Sequence, residues 1–485
     1  NEYRTGVWIF LRLLGVCHLI AFLSVWHQLD GLLGDNGVLP AAQWMNAVAQ
    51  QIGTARFWQA PTLCWLSPNT HFLEMLCIAG TAAALALSVG VATRAALVIL
   101  WALYLSVVTV GGVFFGFQWD ALLIESTFLA IFLAPGHWLP RMPANADAPN
   151  RGALLVLWWL IFRLMFMSGA VKLLSHDPLW SQWTALGVHF ETQPLPTPLA
   201  WWVHNLPAAL HKASCGVMFA IELGGPFLMC CGLWGRRLAA SSFCALMLLI
   251  ALTGNYCFFN VLVAALCLTL LDDALWLRLS RRVLPRSDTP EVLPEINWWK
   301  LVYAPFLLLC LWCSGIQTGA QLFQWRAVPR WATLPLQWAG PFRTVNSYGL
   351  FAVMTKTRPE IILEGSADGK AWKEYHFKWK AGDTKQRPPI VAPYQPRLDW
   401  QMWFASLGDL RGNPWLSNLM LRILQGSPSV LALLAENPFP DRPPQYLRAA
   451  LFKYKFTDSS TRSETGAWWE RDFQGYYSQP VSIQR

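Results

Sequence analysis

Seven ionisable side chains stand within, or at the edge of, long apolar runs of this 485-residue sequence: Arg12, Glu74, Asp120, Glu125, Arg163, Lys172 and Glu222. A charge at bilayer depth costs about 2.5–3.5 kcal/mol on insertion scales, so each needs a partner or a task. Counting about 1.5 Å of rise per residue along each run puts Glu125, Arg163 and Glu222 near one depth. Two acids and one base there can neutralise one another across helix interfaces and fix helix register. The same groups, tuned by burial, are also the material of proton transfer. Glu74, Asp120 and Lys172 fall nearer one surface, and Asp120 opens a helix, where a carboxylate gains from exposed amides and the macrodipole.

Lys172 sits in Ser168-Gly-Ala-Val-Lys-Leu-Leu174, where small residues let a second helix approach closely. Two readings of it stand. It snorkels or pairs at the interface, or desolvation lowers its pKa and makes it a base, with Asp120 and His189 as companions in an outward-facing cavity. Residues 175–211 collect His176, His189, His204 and His211, with Asp177 and Glu191. Their spacings of 13, 15 and 7 do not match the short spacings of a metal site, so no metal is expected. Pro194, Pro196, Pro198, Trp201 and Trp202 give the segment the character of a rigid lid, docking surface or interfacial anchor.

The surrounding composition says what holds these groups. Charged residues make up 13% of the chain and apolar ones 54%, with 29 tryptophans. A soluble domain averages about 25% charged residues, which excludes an ordinary cytosolic enzyme. The apolar content excludes disorder. The net charge of +9 lies between apolar spans rather than in a basic patch, so no nucleic-acid partner is expected. Nine stretches long enough for a core of about 30 Å are predicted, at 7–27, 71–92, 95–113, 118–134, 152–174, 213–233, 238–253, 256–271 and 301–320. The first, with Arg12 inside and no small-residue cleavage site after it, reads as a span rather than a signal peptide.

Arg94, Arg141, Arg151, Arg236, Arg237, Arg278, Arg281, Arg282 and Arg286 fall on one side of these spans, and the opposite loops hold Arg56. The positive-inside rule then puts the N-terminus in the cytoplasm and the tail outside. Beyond Pro341 lie 19 of the 37 lysines and arginines, and no span-length apolar run. Glu360–Gly365, an Asp368-Gly369 turn and Ala371–Trp379 read as a hairpin, and Tyr348–Thr355 and Tyr446–Phe456 as further strands. Helices are expected after Asn413-Pro414 and Ser427-Pro428. The fold class is thus a polytopic α-helical membrane protein of about nine spans over 1–335, with an outer loop at 175–211. A β-rich domain with a small helical insert follows over 341–485, on the exported side. All 11 cysteines precede residue 314, so that domain is no disulfide scaffold, and Cys310-Leu-Trp-Cys313 lies inside a span as inert thiols.

Gln118-Trp-Asp-Ala-Leu-Leu-Ile-Glu125, Phe162-Arg-Leu-Met-Phe-Met-Ser-Gly169 and above all His189-Phe-Glu-Thr-Gln-Pro-Leu-Pro-Thr-Pro-Leu-Ala200 resemble the lipase maturation factor family. Thr253-Gly-Asn-Tyr-Cys-Phe-Phe-Asn260, Leu398-Asp-Trp-Gln-Met-Trp403 and Trp468-Trp469 extend the likeness over nearly the whole chain. The resemblance marks Phe190, Glu191, Thr192, Gln193, Pro194, Pro196, Asn255 and Asn260 as motif positions. It implies a membrane-embedded maturation factor for exported proteins, with membrane lipids and an exported client such as a lipase as partners and no cofactor. Absent glycosylation sequons and a missing ER-retrieval ending lean the expectation to a bacterial inner membrane with a periplasmic C-terminal domain; in a eukaryote the setting is the endoplasmic reticulum.

A more distant likeness links Gly169-Ala-Val-Lys172 and Asp177-Pro-Leu-Trp180 to the catalytic-lysine segment of vitamin K-dependent gamma-carboxylases. It implies an alternative, an intramembrane enzyme in which Lys172 acts on a lipid or quinone. Transport is a third reading, carried only by the Glu125, Arg163 and Glu222 set, because no internal repeat appears.

Overall fold

The computed structural model describes residues 2–142, 148–280, 298–325 and 327–483. Arg281, Arg282 and Arg286, used above for orientation, lie outside them. Five helices are long and apolar enough to cross a membrane: Arg4–Trp26, Thr70–Val89, Thr93–Val110, Arg151–Leu174 and Gly232–Thr253. Phe259–Leu268 and Asp273–Leu279, bent by 106°, make a sixth if taken together. Local signals set their ends. Asn69 Oδ1 accepts from Phe72 N at 2.8 Å, Asn150 Oδ1 accepts from Gly152 N at 2.9 Å, and Gly90 closes the second helix in the left-handed region at φ +88°.

Five or six candidates stand against the nine expected, for reasons local to the other segments. Gln118–Leu133 has 16 residues, about 24 Å of rise, and ends before Pro135. The stretch at 213–233 is broken into Ala208–Phe219, a π-turn at Ala220–Gly224 and Gly225–Leu228, with Pro226 withholding an amide. The last stretch forms Trp298–Leu322, with Pro305 inside it.

The helix ends sort into two sets. At one end Ala92 N donates to Trp138 O at 2.7 Å, Thr5 N to Asp273 Oδ1 at 2.9 Å and Arg237 Nε to Asp272 Oδ1 at 2.8 Å. At the other end the turns meet the C-terminal residues. Gln28 Oε1 accepts from Arg397 N at 2.8 Å, Gly37 O from Arg422 Nε at 3.0 Å, and Asn255 Oδ1 from Val391 N at 2.7 Å.

The C-terminal part is built on one antiparallel sheet ordered β2-β1-β3-β4, with β1 at Arg358–Ser366, β2 at Lys373–Tyr375, β3 at Tyr446–Phe456 and β4 at Trp469–Ser482. Asp368 Oδ1 accepts from the amides of Lys370 and Ala371, which makes the expected turn between β1 and β2. The helices Arg397–Ser406, Pro414–Gln425 and Pro428–Leu431 lie between β2 and β3 in sequence. Pro414–Gln425 buries Leu416, Leu419 and Ile423 at helical spacing.

Tyr348–Thr355 is no strand. Phe351 stands at φ +55° and Gly349 at φ +140°, and backbone groups of this stretch bond to Trp180 and Asp177 of the outer loop instead of a ladder. β4, not read as a strand above, is the longest in the sheet.

Candidate functional site

The helix Gln118–Leu133 buries both its carboxylates. Glu125 Oε1 pairs with an Arg163 Nη2 from Arg151–Leu174. Its Oε2 accepts from Tyr348 OH at 2.7 Å, Asn346 N at 2.8 Å and Asn346 Nδ2 at 3.0 Å. Arg163 Nη1 in turn donates to Asn346 O at 3.0 Å. A strap of chain around residues 343–354 therefore enters the helical core and completes the coordination of both charges.

Asp120 is held the same way. Arg397 grips its carboxylate bidentately, at 2.9 and 3.0 Å, and also donates to Phe114 O at 2.7 Å, while Tyr104 OH donates to Asp120 Oδ1. Asp120 and Arg397 are both fully buried. The helix N-terminus expected for Asp120 is thus joined by a cation from the far end of the chain.

The expected trio does not assemble. Glu222 pairs with Lys172, whose Nζ donates to its two carboxylate oxygens at 2.9 and 2.7 Å. The π-turn carries Glu222, and a Cβ on Gly169 would lie 3.1 Å from its Cβ, so the small residues 168–170 do permit close approach. Lys172 Nζ also sits 5.4 Å from the Trp180 ring centre. Of the remaining charges, Glu74 meets His71 at 3.4 Å on the exposed surface. Arg12 stacks on Trp8 at 4.9 Å.

His189 is half-buried beside Tyr256, whose OH lies 3.5 Å from Nε2, and against the edge of Phe351. Desolvation, helped by the positive charge of Lys172, pushes its pKa down to about 4. It is therefore a neutral imidazole. His204 lies 3.6 Å from Glu191, its pKa lowered by burial, His211 contacts the His204 carbonyl, and His176 is exposed. Among the described residues no three His, Cys, Asp or Glu side chains converge on a metal-sized site.

The motif at 190–200 is a clamp between the two parts of the molecule. Arg358, fully buried at the start of β1, donates to the carbonyls of Glu191, Gln193 and Pro194 and pairs with Glu360 at 2.7 Å. Trp403 Nε1 donates to Thr192 O at 2.9 Å, and Glu191 Oε2 accepts from Phe456 N at 2.8 Å. Phe190 packs with Trp201, Trp468 and Trp469 in one apolar cluster. Gln193 Nε2 and Thr197 N both reach Thr253 O, and Pro196 bridges to Gly254. Asn255 uses its whole amide: it donates to Leu195 O and Pro389 O and accepts from Val391 N and Ala392 N. Asn260 is buried with its Oδ1 unpartnered.

Between the strap, the outer turns and the Arg397–Ser406 helix opens a cleft of about 1030 Å3, lined by Trp44, Gln118, Tyr256, Arg343, Trp400 and Phe404 among others. No unpaired carboxylate lines it among the described residues. Its walls suit contact with an apolar or aromatic segment rather than proton transfer. Sequence reading missed Tyr104, Asn346, Tyr348, Arg358 and Arg397. The signal that could have found them is the demand for counter-charge at Asp120 and Glu125, set beside a tail rich in arginine.

A model of the lipase maturation factor transmembrane domain matches residues 5–278, and one of the lipase maturation factor C-terminal domain matches residues 344–479. The chain is 35% identical to lipase maturation factor 2 of Rattus norvegicus, over 98% of this chain and 83% of that protein. To lipase maturation factor 2 of Homo sapiens it is 34% identical, over 98% and 82%. To lipase maturation factor 1 of Mus musculus it is 33% identical, over 98% and 87%. No solved structure matches it. With these two family matches covering most of the chain and relatives above 30% identity over 98% of it, this chain belongs to the lipase maturation factor family.

Proposed function

We propose that this membrane protein promotes the maturation of exported clients of the lipase class, with the cleft and the sheet domain as the surface that meets them. The observation that carries this reading is the anchoring of the sheet domain through buried Arg358 and Arg397, which holds a large aromatic cleft rigidly beside the helical core. Preorganised aromatic and arginine surface is what protein recognition favours. The carboxylase alternative finds no support: Lys172 is buried in a two-bond pair with Glu222 and faces no cavity described above. Lipids of the surrounding bilayer are partners in this proposal, and it needs no cofactor.

The proposal sets Gln118–Leu133, the broken Ala208–Leu228 stretch and Trp298–Leu322 as further crossings, giving nine. The outer turns and the sheet domain then share the exported face, the periplasm of a bacterium or the lumen of the endoplasmic reticulum. Supporting this, the turns assigned to that face bond to residues beyond 343, and those of the opposite face carry the arginines. Deleting the gene and assaying co-expressed exported lipases tests the function: the secreted activity should fall with the amount of client transcript unchanged. Unaltered activity across several clients would refute it.

A further inference from the structure

At the face opposite the sheet domain, five arginines, Arg4, Arg12, Arg94, Arg141 and Arg151, line one pocket of about 610 Å3. No aspartate or glutamate among the described residues lines it. The helices Thr93–Val110 and Arg151–Leu174 begin there, so two positive macrodipole ends add to the guanidinium charge, while the first amides of Arg4–Trp26 are already taken by the Asp273 carboxylate. Arg4 is paired with Glu2 at 2.6 Å, and Arg94 Nη2 donates to Ala134 O at 2.5 Å.

Arg12 differs from these two. It lies eight residues along its helix from Arg4, level with the Gly90 turn that ends the Thr70–Val89 helix. Its contacts are the Trp8 ring and the Gly90 backbone, where a Cβ would fall 2.1 Å from Nη2, and its Nε is buried without a hydrogen-bond partner. A half-buried guanidinium beside these helix ends, with no counter-charge among the described residues, leaves donors free for an anionic group. Trp8, Leu11, Phe132, Leu133 and Tyr303 add an apolar side to the lining of the pocket.

We infer that this pocket binds the phosphate headgroup of an anionic glycerophospholipid, with Arg12 and Arg94 on the phosphate and the apolar side against the glycerol and upper acyl chains. Basic pockets between helices on the cytoplasmic side are suited to such headgroups. The apolar part of the lining favours a lipid over a free anion, for which polar walls throughout would be the better site.

The test uses the full chain in neutral detergent, read by native mass spectrometry with dioleoyl phosphatidylglycerol, dioleoyl phosphatidylcholine and inorganic phosphate. The wild type should retain phosphatidylglycerol in preference to phosphatidylcholine. Arg12→Gln and Arg94→Gln should each lower that retention about fivefold, in line with the worth of one basic residue near an anionic headgroup. Phosphatidylcholine retention should not move. Equal retention of the two lipids, or an unchanged preference in the double variant, would overturn the inference. So would inorganic phosphate displacing phosphatidylglycerol at equal concentration, which would mark a soluble-anion site. Should the variants fail to fold, the wild type decides: its unfolding midpoint rises with phosphatidylglycerol and not with phosphatidylcholine, and no difference between the lipids overturns the inference.

Discussion

Glu125 and Asp120 are each met by an arginine and by further donors, and that pairing is what makes a buried carboxylate tolerable. Glu125 has an arginine on one oxygen and three donors on the other, and Asp120 has a two-bond arginine and a phenol. Removing one partner of such a pair leaves an uncompensated buried charge, whereas the intact pair itself adds little net stability. His189 and Asp399 show the same logic through pH. Burial holds the His189 imidazole down at about 4, and burial lifts the Asp399 carboxyl to about 6 against the pull of the Trp379 and Lys380 amides. Unfolding lets His189 take up a proton below its ordinary 6.5, so its contribution is present above that pH and lost as pH falls towards 4. Asp399 runs the other way: its contribution is present below its ordinary 3.8 and lost as pH rises through 6. The two oppose each other across this window. His189→Gln should therefore unmask Asp399. The unfolding midpoint of the variant in detergent, relative to wild type, should climb as pH is taken from about 6.5 to about 4, with on the order of 3 kcal/mol as the upper bound for the His189 term. A difference between the two proteins that stays constant with pH would count against the assignment.

At the scale of elements, the 190–200 segment and the 253–260 turn act as one joint between helices and sheet, and Asn255 is its most densely bonded residue. Asn255→Ala would strand the Pro389 carbonyl and the amides of Val391 and Ala392, while Leu195 O keeps its bond from the backbone N of residue 255, at about 1–3 kcal/mol for each group left unsatisfied. Asn255→Asp keeps the acceptor for Val391 N and Ala392 N and loses both donations, so it should fall between wild type and alanine in unfolding midpoint. Equal stability of all three would show that the joint is not held there. This joint was legible as a motif but not as a joint. Local pattern carries β3, whose alternation matches its observed bounds, and the Asp368-Gly369 turn, because period and turn chemistry are written in neighbouring residues. The six-residue run from Glu360 reads as a strand for the same reason. The strap at 343–354 alternates equally well, yet its amides are claimed by Glu125 and Asp177 from far along the chain. The π-turn at Ala220–Gly224 likewise leaves no mark in apolar content, and it is what aims Glu222 at Lys172 rather than at Arg163. Where a tertiary partner outbids a ladder or an α-helical bond, sequence periodicity has nothing to report.

For the whole molecule, the strap decides whether the helical core and the sheet domain are separable. Glu125 lies seven residues into its helix, about 10 Å below the helix start, so Asn346 and Tyr348 carry irregular backbone well into the helical layer. Non-helical backbone at that depth is tolerated only where protein or a lined cavity surrounds it. Here the helices Gln118–Leu133 and Arg151–Leu174 supply its partners. Without residues 341–485, Glu125 loses three of its four donors and Asp120 loses Arg397. The helical part should then be unable to stand alone, even though its apolar helices insert. Expressed as residues 1–340, it should be degraded or aggregate on extraction. Co-expressed with 341–485 as a second chain bearing its own export signal, it should return as a monodisperse complex in which the two pieces purify together. The intact protein should unfold in one transition, coincident by tryptophan fluorescence and far-ultraviolet circular dichroism, since core and sheet share these charges. A monodisperse 1–340 fragment with the unfolding midpoint of the full chain would mean that the buried acids find other partners, and the strap would then be a passenger rather than a component of the core.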